Sequence, residues 1–162
     1  MNEGSERAVR ITKHLRPGRR GFLRKEDSRN LLRRTLEYYV RTMGLVVYAW
    51  SVTVDRFEII VALPAPVPLG KTLAAFFHHF GRRHRMRYRN KRGPMFRNRY
   101  LTRVLESEEE IWEEVCRLHA EAASLEAAAR PGSEPFSSSR AWLGVPDGVT
   151  QPRRPVRERA AA

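Results

Sequence analysis

Apolar positions recur along this chain in two rhythms. Leu31, Leu32, Leu36, Tyr39, Val40 and Met43 fall at three- and four-residue intervals, which predicts a helix capped by Asp27 or Ser28 and stopped by Gly44. Leu69, Leu73, Phe76, Phe77, Phe80 and His84 repeat that spacing up to about Tyr88. Ser107 followed by Glu110 forms a capping box for a last helix through Ile111, Trp112, Val115 and Leu118 to about Ala129. Between these stretches the period drops to two. Ala8 to His14, Leu45 to Val54, Phe57 to Leu63 and Phe96 to Val104 read as strands, with Asp55 and Arg56 as a tight hairpin. Pro64, Pro66 and Pro68 close the third strand, and Pro131 to Ser139 reads as loop. The order β-α-β-β-α-β-α predicts an α+β, ferredoxin-like (split βαβ) antiparallel sheet with helices packed on it and an extra C-terminal helix. One domain is expected over 1–144, followed by a disordered basic tail over 145–162, where little can be buried.

Composition narrows the class. The chain has 162 residues, 41% of them apolar, enough for one sizeable core and too few for a multidomain machine. It contains no apolar run of about 18 residues, and its first residues lack a signal-peptide layout, so a soluble cytoplasmic protein is expected. Cys116 is the single cysteine, which excludes an internal disulfide, and it is expected to be a small buried hydrophobe.

Charge changes the picture most. Lys and Arg number 31 against 18 Asp and Glu, a formal net charge of +13, which points to a polyanion as partner. No acid occurs from Ile59 to Leu105. That interval holds Lys71, Arg82, Arg83, Arg85, Arg87, Arg89, Lys91, Arg92, Arg97, Arg99 and Arg103, with Tyr88, Phe96 and Tyr100 interleaved. Cations that meet phosphates beside rings that stack on bases are what a nucleic-acid strand needs, so residues 82–99 form the candidate binding surface. Arg19 and Arg20, in a basic loop near the N-terminus, join the candidates. Glu106 to Glu134 is acidic apart from Arg117 and Arg130, a pattern favourable to a helix dipole. His78 and His79 lack a ligand partner at helical spacing, so packing or phosphate contact is expected of them, and His119 is expected on the helix surface.

Four blocks in order carry a family resemblance. They are Arg16 to Leu36, Val47-Tyr48-Ala49-Trp50-Ser51-Val52, the basic run Arg89 to Tyr100, and Phe136-Ser137-Ser138-Ser139 with Trp142-Leu143-Gly144. From Ile11 to Gly144 the chain resembles the REP-associated tyrosine transposases, relatives of the insertion-sequence-200-like enzymes with the HUH single-strand endonuclease fold. The resemblance implies a family in which two histidines hold Mg²⁺ or Mn²⁺ and a tyrosine on the last helix attacks the DNA phosphate. At those positions this chain has Arg56 and Glu58 for the histidines and Leu118 for the tyrosine. Arginine offers no lone pair to a metal and leucine no nucleophile. The resemblance therefore implies a catalytically degenerate member without a metal cofactor: a DNA-binding, nucleoid-associated protein that keeps the transposase-like fold and leaves a homodimer open. Arg56 and Glu58, two apart on one strand face, are expected to form a simple ion pair. An active transposase or nicking enzyme with relocated catalytic residues is the alternative, and an RNA-binding protein of the same β-α-β-β-α-β order is a further one.

Overall fold

A computed structural model of the chain describes residues 7–19, 21–62, 68–89, 94–97, 99–132 and 134–152. Its strands are β1 (Ala8–His14), β2 (Val46–Val52), β3 (Arg56–Ala62), β4 (Leu101–Leu105) and β5 (Phe136–Ser137). Its helices are α1 (Glu26–Met43), α2 (Leu69–Tyr88), α3 (Glu108–Ala129) and α4 (Ser139–Trp142). The strands form one antiparallel sheet in the order β4-β1-β3-β2-β5, which is the ferredoxin-like arrangement with one strand added at the β2 edge. No described helix is long and apolar enough to cross a membrane.

Both faces of the sheet are covered. On one, Ile11, Trp50, Phe57, Ile59 and Val61 pack against Leu32 and Leu36 of α1 and Leu73, Phe76 and Phe80 of α2. On the other, Ala8, Tyr48, Ile60 and Leu105 pack against Ile111, Val115 and Leu118 of α3 and Trp142 of α4. A bulge in β2 between Val47 and Ala49 puts neighbours Tyr48 and Ala49 in the same core, while Val47 and Trp50 enter the opposite one. Two buried faces explain why β2 and β3 read as nearly continuous apolar runs.

The expected helices and the first three strands appear close to their predicted places, with instructive departures. α1 starts at Glu26 with Lys25 at the cap position and no side-chain cap, so Asp27 and Ser28, expected as caps, lie inside its first turn, where the Ser28 hydroxyl pairs with Nε2 of His84 at 3.0 Å. The Ser107 box forms: its Oγ accepts the Glu110 N–H at 3.1 Å, and Glu110 reaches back to the N–H of Glu106 at 2.8 Å. Arg56 opens β3 and is not part of the turn. The fourth strand is shorter than its alternation suggests, with Phe96 bridging to Leu15 outside it.

Two expectations are corrected at the C-terminal side. The expected loop from Pro131 to Ser139 contains β5 and runs into α4 at Ser139, and the Trp142 indole N–H of α4 donates to the Tyr48 carbonyl at 2.8 Å. The predicted tail is ordered at its start. Val149 is buried, Asp147 accepts the Trp50 indole N–H at 2.9 Å, and Gln151 donates to the Val47 carbonyl at 2.8 Å. Asp147 sits below the usual carboxylate range: burial works against its charge, but hydrogen bonds from Thr150, Val149 and Trp50 outweigh it. Residues 153–162 lie outside the described residues. Cys116 is exposed, not buried.

One buried ion pair ties α1 to α3. Arg29 donates to both Glu126 carboxylate oxygens, at 3.2 and 3.1 Å, and through Nε to the Leu23 carbonyl at 2.6 Å. Removing only the carboxylate leaves the guanidinium desolvated and unpaired, so Glu126→Ala is expected to cost about 3–5 kcal/mol in urea unfolding. The Arg29→Met/Glu126→Leu double substitution, which removes both charges, is expected to cost less than that single one; the reverse order would contradict this account.

Candidate nucleic-acid interface

Helix α2 turns Phe76, Phe80 and His84 inward, and that orientation sends the intervening arginines outward. Arg82, Arg83 and Arg87 are exposed, Arg85 is half-buried, and Arg89 caps the helix in a left-handed conformation with φ 49°. Cations near a helix C-terminus suit its dipole, which accounts for Arg85 and Arg87 but not for Arg82 and Arg83 a turn earlier. Arg97 and Arg99, in the lead-in to β4, are exposed, and Arg97 and Arg85 border the same cavity.

The N-terminal basic loop comes to this helix as well. Phe22 stacks on His84 at 5.4 Å, Arg19 lies over Phe22 at 5.5 Å, and Lys25 Nζ stands 5.6 Å from the Tyr88 ring centre. Burial first, then the charges of Lys25 and Arg19, push His84 down to about 4. The two basic segments of the sequence thus meet on one surface. The ion pair from Arg87 to Asp27, 3.9 Å and exposed, takes little from it. Arg20, Lys91 and Arg92 lie outside the described residues.

The two strand positions Arg56 and Glu58 do not pair with each other. Arg56 bonds through Nε to Asp55 at 3.1 Å, at the end of the sheet. Glu58 is buried, and its Oε1 accepts from Arg10 and from the Thr12 hydroxyl, both at 3.0 Å, across the β1–β3 pairing. Arg10 also donates to Glu114 at 2.7 Å and Glu121 at 2.6 Å on α3. Arg103 adds a 2.6 Å bond to Glu114, and Arg117 pairs with the same carboxylate. Burial works against the Arg10 charge, but the bonds to Glu114, Glu121 and Glu58 outweigh it and fix the guanidinium protonated. Leu118 is not at this cluster. It is fully buried in the α3 core, and the α3 side chains that bond Arg10 beside Glu58 are Glu114 and Glu121.

No protein-family model matches the chain, and no curated protein matches it. Among solved structures, a REP-associated tyrosine transposase bound to a REP hairpin superposes with a TM-score of 0.67 at 14% identity, covering 91% of this chain and 87% of that one. The chain has the fold of a REP-associated tyrosine transposase. A candidate transposase from Deinococcus radiodurans R1 is similar too, with a TM-score of 0.51 at 13% identity over 69% of this chain and 89% of that one.

On this transposase fold the residues do not fit the divalent metal that the family resemblance implies. The carboxylates of Glu58, Glu114 and Glu121 converge on a permanent cation, Arg10, which supplies the positive charge a metal would bring and offers no lone pair. Among the described residues no group of three His, Cys, Asp or Glu side chains is arranged to hold a metal ion.

Sequence reasoning missed this cluster because Arg10 looked like part of a basic N-terminal segment and Glu114 like part of an acidic helix start. It also misplaced His119. The ring is half-buried, its Nε2 lies 2.7 Å from Ser138 Oγ, and Ser138 Oγ accepts the Trp50 N–H at 2.9 Å. Burial pushes His119 down to about 4 from its ordinary 6.5. His79 packs against the rings of Tyr38 and Tyr39, and His78 is exposed.

Both His84 and His119 are held neutral in the fold, at about 4, while the unfolded chain takes up their protons near 6.5. Between those values the unfolded state binds more protons, so stability is fully present above about pH 6.5 and declines as pH falls towards 4. Urea midpoints measured from pH 7 to pH 4.5 are expected to fall, and His119→Asn is expected to flatten that dependence. An undiminished slope in the variant would remove His119 from the account.

Proposed function

We propose that this protein binds DNA, hairpin or single-stranded, through the basic surface of α2 and its flanking loops, and that it does so without cutting the strand. The observation that carries the reading is the concentration of cations around the C-terminal end of α2: Arg82, Arg83, Arg85, Arg87 and Arg89 on the helix and its cap, Arg19 and Lys25 beside Phe22 and Tyr88, Arg97 on the same cavity as Arg85, and Arg99 exposed in the lead-in to β4. Arg20, Lys91 and Arg92 belong to the same stretches of sequence and are proposed to extend it. A protein of this fold bound to a REP hairpin supports hairpin DNA as the first ligand to try. The absence of cleavage is argued from Arg10, Arg56 and Leu118: a guanidinium among the carboxylates, a second at the first ligand position, and an aliphatic side chain turned into the core. Such a protein is a transposase relative retained for binding, needing neither Mg²⁺ nor Mn²⁺.

Affinity is expected to fall steeply with salt, because each neutralised phosphate releases condensed counterions. For Z of about 5 contacts the log–log slope is about −0.9Z on duplex and −0.7Z on single strands. Replacing Arg82, Arg85 and Arg89 together by Ala is expected to reduce that slope by roughly 2 to 3 in an anisotropy titration. Failure to bind hairpin, duplex or single-stranded DNA at low salt would overturn the proposal.

Incubation with labelled hairpin DNA and Mg²⁺ or Mn²⁺ is expected to leave the strand intact and the protein unmodified on denaturing gels. A metal-dependent protein–DNA adduct would instead establish the active-enzyme alternative.

A further inference from the structure

A second feature of this face is a hole in it. Between α2, the end of β1 and the lead-in to β4 lies a half-open cavity of about 620 Å³, a size ordinary for small-molecule sites. Its walls include the rings of Phe77 and Tyr100, the buried Lys13, and Arg85 and Arg97. Lys13 Nζ stands 5.2 Å from the Phe77 ring centre and 5.3 Å from that of Tyr100, so the ammonium and both rings share one space. Gly81 completes the wall from inside α2. Glycine inside a helix costs about 1 kcal/mol relative to alanine, yet among the described residues nothing lies within 4 Å of where its Cβ would be. A close approach of backbone therefore does not explain this glycine. Its missing side chain leaves the cavity open.

We propose that this cavity receives one unpaired base of a DNA strand, stacked against Phe77 or Tyr100, with the adjoining phosphates on Arg85 and Arg97. The chemistry matches the walls. Aromatic faces stack on any base, and a lysine, having donors and no acceptor, can meet the carbonyl or ring-nitrogen acceptors on a base edge. Desolvation lowers the Lys13 pKa, as fits an ammonium on the floor of a pocket and not on its rim. A base entering here leaves the duplex stack, which selects single-stranded, looped or bulged DNA over a continuous helix. The proposal rests on DNA binding by the surrounding basic face and adds to it a base-dependent component that the phosphate contacts lack.

The test compares fluorescein-labelled dT12 with an abasic deoxyribose-phosphate 12-mer of equal charge, by anisotropy with the full chain. Stacking of one base is expected to make dT12 bind roughly 5- to 150-fold tighter. Gly81→Leu, which puts a side chain into the cavity and raises helix propensity, is expected to bring the two affinities together. Tyr100→Leu is expected to narrow the gap, and circular dichroism of both variants checks that they fold. Equal affinities for the two probes in the unsubstituted protein, or a full gap persisting in folded Gly81→Leu, would overturn the cavity assignment while leaving the basic face in place. Binding of neither probe nor of hairpin DNA would overturn the basic face, and the cavity with it.

Discussion

The guanidinium of Arg10 joins three elements through a single ionic cluster. It sits on β1, reaches Glu58 on β3 beside it, and crosses to Glu114 and Glu121 on α3. Glu58 and Glu114 are almost fully buried, so each would be a large penalty alone. The cation makes their burial tolerable, and by doing so it fixes where α3 lies on the sheet. The rotation of α3 follows: with Glu114 and Glu121 turned to Arg10, Leu118 and Val115 must enter the apolar core.

That rotation is why an ionic cluster stands beside the apolar core on the sheet face under α3. Thr12, Arg103 and Arg117 supply further donors to the same carboxylates, so Oε1 of Glu58 and both oxygens of Glu114 are engaged within the protein. The opposite layer works by another rule. There the sheet meets α1 and α2 through a cluster of rings, with Phe57, Phe76, Phe77 and Phe96 packed edge to face or tilted. Aromatic packing leaves the outer side of α2 without structural duties, and its arginines are placed there. The ionic joint and the cationic surface therefore belong to opposite sides of one sheet, and charge is consumed on one and displayed on the other.

Much of this architecture could be read from the chain. Strand and helix order follow from two periodicities, which are local properties of the backbone and survive any tertiary context. Gly44 ending α1 and Ser107 opening α3 were legible for the same reason, since caps act within a few residues. The excess of cations and its polarity along the chain are likewise fixed by residue identity alone. The four ordered blocks of family resemblance led to the fold that the superposition shows.

What the chain could not disclose are relations between distant residues. Arg10 and Glu114 stand 104 residues apart, and no local signal separates a charge bound for a buried network from one bound for solvent. β5 is two residues long, too short for periodicity, and exists because β2 offers it an open edge. Val149 becomes buried because β2 and its neighbours leave room for the chain beyond Gly144. Residue types and their spacing thus determined the elements, their order and the sign of the surface. Only packing decided which charges face one another, because the penalty for an unpaired buried charge is set by three-dimensional neighbours and not by sequence neighbours.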